Sequence, residues 1–202
     1  MKKQSSHIKS ITLIGLVACG IAMSGRFAEA QNRVLSLDGS GDYVMVPHNA
    51  SLNLTNTFTV EAWIAFQPGV PDAKRLVSKG WENEYPEGYE FGLSLGAQTG
   101  SLFFGPMVGS GGQDLFFGNG LITNNVWTHV AAMFDGTTLR LLTNGVVDSS
   151  ATTTRSSLPA TTWPLAIGCI STIPTWGNYK GFIDEVRIWN RARSISEIQA
   201  NM

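Results

Sequence analysis

The sequence predicts an all-β sandwich, and three observations carry that prediction. Turn residues punctuate the chain about every eight to twelve positions, and the runs between them are rich in β-branched and aromatic residues. Two dipeptides, Asp135-Gly136 and Asn144-Gly145, separate the runs 130–134, 139–142 and 146–147. Both dipeptides accept the positive φ of tight hairpin turns, so three successive antiparallel strands follow. Finally, 182–189 alternates in side-chain direction, with Phe182, Asp184, Val186 and Ile188 on one face and Ile183, Glu185, Arg187 and Trp189 on the other. No run reads as a long helix.

The chain has 202 residues, enough for one domain with a sizeable core. Residues 1–30 read as a signal peptide. Lys2, Lys3 and Lys9 form a positive start, 11–23 is an apolar stretch too short to span a membrane, and Ala28-Glu-Ala30 fits a cleavage site before Gln31. Leu16-Val-Ala-Cys19-Gly is an alternative processing site that would leave a lipid anchor on Cys19. The expectation is export, cleavage after Ala30, no transmembrane helix in the mature protein, and a single domain over 31–202. Removing 1–30 takes four of the 14 basic residues and one of the 15 acids, leaving 10 against 14 and a net charge of −4. That balance offers no basic footprint for nucleic acid or anionic lipid. Cys169 alone remains, so no intramolecular disulfide forms; its apolar surroundings predict a buried, inert thiol.

Along the domain, Asp38-Gly-Ser-Gly-Asp42 is a turn between two short strands. Runs 57–66, 126–134 and 182–189 carry apolar residues on both faces and read as central strands, with Trp63, Trp127 and Trp189 in the core. Segment 108–113 is a loop, and 149–158 has the polar character of an exposed edge. Ser194-Ile-Ser-Glu197 fits a capping box, which predicts one short terminal helix over about 195–200.

Five segments in order carry a resemblance. They are Leu35-Ser-Leu-Asp-Gly-Ser-Gly-Asp-Tyr-Val44, Thr57-Phe-Thr-Val-Glu-Ala-Trp-Ile64, Leu76-Val-Ser-Lys-Gly80, Trp127-Thr-His-Val-Ala-Ala-Met-Phe-Asp-Gly136 and Leu139-Arg-Leu-Leu-Thr-Asn-Gly145, followed at the other end of the domain by Lys180-Gly-Phe-Ile-Asp-Glu-Val-Arg-Ile-Trp189. Together they resemble the laminin-G-like domains of the concanavalin A-like lectin/glucanase superfamily, of the bacterial secreted type, over roughly 33–201. The resemblance implies a two-sheet antiparallel jelly-roll sandwich, often with one calcium ion, used to bind sugars or proteins. A fold hosts many functions, so the site must carry the functional argument.

Calcium takes about six to eight oxygen ligands. Asp38 and Asp42 flank glycines that let carbonyls turn inward, and Asp184 is an acid on an apolar face that needs a partner. In the resembling fold the first and last strands are neighbours. The expected site is therefore a structural Ca2+ held by Asp38, Asp42 and Asp184 with main-chain oxygens near Gly39. The alternative is that Asp38 and Asp42 cap the turn while Asp184 pairs with Lys180 or an arginine.

Sugar recognition uses aromatic platforms flanked by hydrogen-bonding groups. Trp81, Tyr85 and Tyr89 in one polar loop, and Trp176 and Tyr179 in another, are the expected ligand-binding residues; their alternative role is to pin the loops. Catalysis is not expected. Glucan hydrolases of the superfamily carry acids spaced along one strand, whereas Glu82-Asn-Glu84-Tyr-Pro-Glu87 is interrupted by proline, and Asp184 and Glu185 are adjacent and so point apart. His129 has no serine or cysteine motif beside it. The partner expected is a glycan, with a cell-surface protein as the alternative and a diverged glycoside hydrolase as a third reading.

Overall fold

The computed structural model describes residues 33–69, 73–81, 87–96, 99–105, 115–153 and 157–202. The strands are β1 (Leu35–Asp38), β2 (Val44–Val46), β3 (Phe58–Phe66), β4 (Lys74–Trp81), β5 (Glu87–Gly96), β6 (Thr99–Gly105), β7 (Phe116–Phe117), β8 (Thr128–Phe134), β9 (Thr138–Thr143), β10 (Val146–Thr152), β11 (Leu165–Ile167) and β12 (Lys180–Trp189), followed by helix α1 (Ile195–Gln199). They form two antiparallel sheets of six. The first runs β1-β12-β3-β8-β9-β10 and the second β2-β11-β4-β5-β6-β7. This is the expected sandwich, and the first and last strands are indeed neighbours.

Local chemistry explains the connections. Asn144 and Gly145 both have positive φ (48° and 70°), the combination a two-residue turn between β9 and β10 requires. At the preceding turn, the Asp135 carboxylate accepts from the backbone N–H groups of Thr137 and Thr138. The core lies between the sheets. Phe58 of the first sheet stacks on Phe104 of the second at 5.0 Å, and Phe134 packs beside Phe58 at 5.7 Å. Cys169 is buried, and burial pushes its thiol up to about 12, so it stays protonated.

β12 departs from strict alternation. Asp184 pairs with Trp63 and Arg187 with Glu61, so Glu185 and Val186 together oppose one residue of β3. Glu185 takes φ 50° at this bulge. The inward set is therefore Ile183, then Val186 and Ile188, while Phe182, Asp184, Arg187 and Trp189 face outward. The bulge reverses the phase on which the acid-on-an-apolar-face reading rested: Asp184 lies on the outer face.

The three tryptophans expected in the core lie on that same outer face. Trp63 and Trp189 are half-buried, and Trp127 is 43% exposed. α1 begins with the expected capping box: the Glu197 N–H donates to Ser194 Oγ at 3.1 Å, and the Ser194 N–H to Glu197 Oε2 at 2.7 Å. The helix lays Ile198 and Ile195 on Ala131, Met133 and Leu142. Beneath the same segment, the buried Glu61 accepts from Arg193 Nη1 at 2.5 Å and from Trp189 Nε1 at 2.9 Å. Arg193 also lies 4.7 Å from the Trp189 ring centroid.

Candidate functional site

The three acids predicted to share an ion do not converge. Asp38 pairs with Lys180, and Asp184 lies four residues further along β12. That separation is about 13 Å along the strand, whereas two ligand oxygens on one calcium are at most about 5 Å apart. The two acids of the turn serve its backbone: the Ser40 N–H donates to Asp38 Oδ1 at 2.6 Å and the Asp38 N–H to Asp42 Oδ2 at 3.2 Å. Gly39 and Gly41 take φ of 82° and 89°, as so tight a turn demands. Asp184 Oδ1 accepts from the Glu185 N–H at 2.8 Å and so caps the bulge. Among the described residues no cluster of three or more His, Cys, Asp or Glu side chains is arranged to hold a metal ion. Asp38, Gly39 and Asp42 thus share one capped turn, and Asp184 caps the bulge separately.

The aromatic candidates divide. Tyr89 and Tyr179 are core residues with no surface to offer a ligand. The Tyr89 hydroxyl donates to the Leu52 carbonyl at 3.2 Å, and its ring stacks with Phe104; burial pushes both phenols above their ordinary value. Both residues fall on the inward phase of short alternating stretches, which sequence reading took for loops. Tyr85 lies outside the described residues. Trp81 ends β4 opposite Glu87. Of the candidates whose side chains are described, Trp176 meets solvent, 59% exposed.

Trp176 sits on a well-anchored loop. The Ile170 N–H donates to the Trp176 carbonyl and the Arg75 N–H to the Gly177 carbonyl, both at 3.0 Å. The Ser78 hydroxyl donates to the Cys169 carbonyl, and the Ser171 N–H to Ser78 Oγ. These bonds clip the loop onto β4, so the ring is presented without a large ordering cost on binding.

A second exposed tryptophan, Trp163 (46% exposed), was missed in the sequence. It is held by Lys79, whose side chain is buried beside Tyr89. Lys79 Nζ donates to the Trp163 carbonyl at 2.6 Å and the Thr161 carbonyl at 3.3 Å, and lies 3.0 Å from His48 Nδ1. Burial lowers the lysine pKa. The available signal was a tryptophan beside Pro164 in a turn-rich run, with a lysine on the inward phase of β4.

The strongest carboxylates are committed to ion pairs. Glu90 is buried against Arg75 at 2.7 Å on the second sheet, and Glu61 against Arg193 on the first. Desolvation raises the Glu90 pKa, opposed by the Arg75 charge and hydrogen bonds. His129, next to Glu61, is held below its ordinary value by burial, which outweighs the Glu61 carboxylate.

A laminin G family model, described as concanavalin A-like lectin/glucanases superfamily, matches residues 38–199. Solved structures share the fold at low identity. Domain 4 of a GH43 extracellular arabinanase from Geobacillus stearothermophilus, solved with arabinotriose, is 21% identical with a TM-score of 0.57, covering 83% of this chain and 75% of its own. A carbohydrate-binding protein so described from Bacteroides ovatus is 20% identical with a TM-score of 0.62, covering 79% of this chain and 44% of its own. The CBM40 of a Ruminococcus gnavus IT-sialidase, bound to α2,3-sialyllactose, is 13% identical with a TM-score of 0.57, covering 80% and 98%. No curated protein sequence matches the chain.

Proposed function

Because this chain belongs to the concanavalin A-like lectin/glucanase superfamily, matched over residues 38–199, we propose that it is an exported, non-catalytic carbohydrate-binding module. The observation that carries the reading is the display of Trp163 and Trp176 on loops fixed by buried hydrogen bonds. An exposed indole exacts a hydration penalty, and a flat apolar sugar face relieves it. Fixing the loop beforehand saves the entropy that a mobile tryptophan would lose on binding. The fold neighbours solved with arabinotriose and sialyllactose support the same ligand class.

The non-catalytic part of the reading rests on the carboxylates. A retaining or inverting hydrolase needs two acids facing one sugar, about 5 to 9.5 Å apart. Among the described residues Glu61 and Glu90 are buried in ion pairs on different sheets, and Asp38, Asp42 and Asp184 hold backbone N–H groups. Export rests on residues 1–30, with their positive start, apolar stretch and small-residue cleavage site.

The test is a glycan array and a soluble polysaccharide panel probed with residues 31–202. Binding to at least one glycan, weakened tenfold or more by Trp163→Ala or Trp176→Ala and without release of reducing sugar, is expected. Binding to no member of the panel overturns the reading in favour of a protein partner. The mass of the mature N-terminus separates cleavage after Ala30 from lipidation at Cys19.

A further inference from the structure

The outer face of the first sheet carries a second aromatic surface, built on β3, β12 and the residue that leads into β8. Cross-strand register places Phe182, Ala65 and the position of Trp127 side by side, with Ser36 opposite Phe182 on β1. The Trp127 and Phe182 rings lean together over Ala65, with centroids 6.3 Å apart and planes 36° from each other. Ala65 is the small residue that lets two rings close over it; it is itself 4% exposed. One row along lie Asp184 and Trp63, whose ring meets His129 edge-on at 5.5 Å. Phe182 on β12, Trp63 on β3 and Trp127 immediately before β8 thus form one surface, bordered by Ser36, Asp184 and Lys180 at its edge.

We propose that this surface is a saccharide-binding platform, separate from the tryptophan loops, on which Trp127 and Phe182 stack against the apolar face of a sugar ring while Ser36 and Asp184 reach its hydroxyls. The chemistry favours a sugar over a protein cover, and the same sheet shows the contrast. Where this chain covers the face with its own segment, Ile195 and Ile198 pack on Ala131, Met133 and Leu142, Arg193 lies over the Trp189 ring, and the Glu61 charge beneath is paired. The other half, among the described residues, has aromatic faces bordered by hydrogen-bonding groups, which is how a hydroxylated ring with one apolar face is recognised. The border holds both Lys180 and Asp184, with no excess of either sign, which fits a neutral saccharide. Phe182 and Trp63 stand on strands and Trp127 directly precedes β8, so the sheet itself positions the rings.

The proposal rests on the carbohydrate reading, and the experiment separates the two. The chain, residues 31–202, is run by affinity electrophoresis through gels containing arabinan, xylan, mannan or mixed-linkage β-glucan. Wild-type protein should be retarded by at least one. Trp127→Ala and Phe182→Ala should each weaken that retardation at least tenfold, Trp127→Phe should restore most of it, and Val146→Ala, on an exposed edge strand, should change nothing. Thermal unfolding of each variant checks the fold; Trp127 is exposed enough that its loss leaves the sandwich intact. Retardation that survives both Trp127→Ala and Phe182→Ala overturns the platform while leaving the loop tryptophans in place. Wild-type protein retarded by none of the gels overturns the carbohydrate reading and the platform with it.

Discussion

The outer face of the first sheet divides into two halves that obey different rules. Toward α1, the chain has buried charge and must enclose it. Glu61 has no exposure, and the segment after β12 supplies both the arginine that pairs with it and the isoleucines that shut out water. Toward Trp127, among the described residues, three aromatic rings stand at or near the surface, bordered by partly exposed side chains. A buried carboxylate without its partner costs several kcal/mol, while a half-exposed indole costs far less. Covering therefore follows the charge.

The comparison breaks most readily at Glu61. Glu61→Ala strands Arg193 in a buried site, and a loss of about 3 to 5 kcal/mol is expected from urea unfolding. A loss under about 1 kcal/mol would mean that the covered half is not held by this pair. Ile198→Ala removes the helix's buried anchor and should cost about 2 to 4 kcal/mol by the same measurement. Trp127→Ala, on the open half, should shift stability by no more than about 1 kcal/mol, while its effect appears in binding.

Protonation sharpens the contrast. His129 is held below its ordinary value of 6.5, chiefly by burial beside the covered half. The unfolded chain therefore takes up a proton near pH 6.5 that the folded chain refuses until lower pH. The stability contributed by neutral His129 is present in full above that value and declines as pH drops below it. The melting temperature should fall between pH 7 and 5, and His129→Gln should flatten that fall. Glu197 works over a more acidic window. The Arg191 hydrogen bond, with the Ser194 N–H, draws its pKa down to about 2, so its contribution to the α1 cap is complete above 4.5 and is lost as pH falls toward 2. The smallest effect concerns the acids once expected to share an ion. Asp38→Asn and Asp184→Asn should be additive within about 0.5 kcal/mol in a double-mutant cycle, as for independent sites.

Much of the fold was legible in the sequence. Asn144-Gly145 and Asp135-Gly136 placed two turns, and Ser194 with Glu197 placed the helix start, because each rests on chemistry within four residues. The site was less legible for a specific reason. The bulge in β12 uses Glu185 at φ 50°, with no glycine to mark it, and one extra residue moved Asp184 from the inner face to the outer. Tyr89 and Tyr179 looked like loop aromatics because their neighbours are polar, yet register turns both inward. Trp127 looked like core because the run 126–134 is apolar on both faces; the strand begins only at Thr128, and Trp127 just before it is 43% exposed, a tertiary fact.

The most direct test of the open half is a crystal of residues 31–202 soaked with an oligosaccharide cut from whichever polysaccharide retards the chain. A sugar ring stacked on Trp127 and Phe182, with its hydroxyls toward Asp184 and Ser36, is the predicted result. Sugar bound only at Trp163 or Trp176, with the sheet face bare, would contradict it.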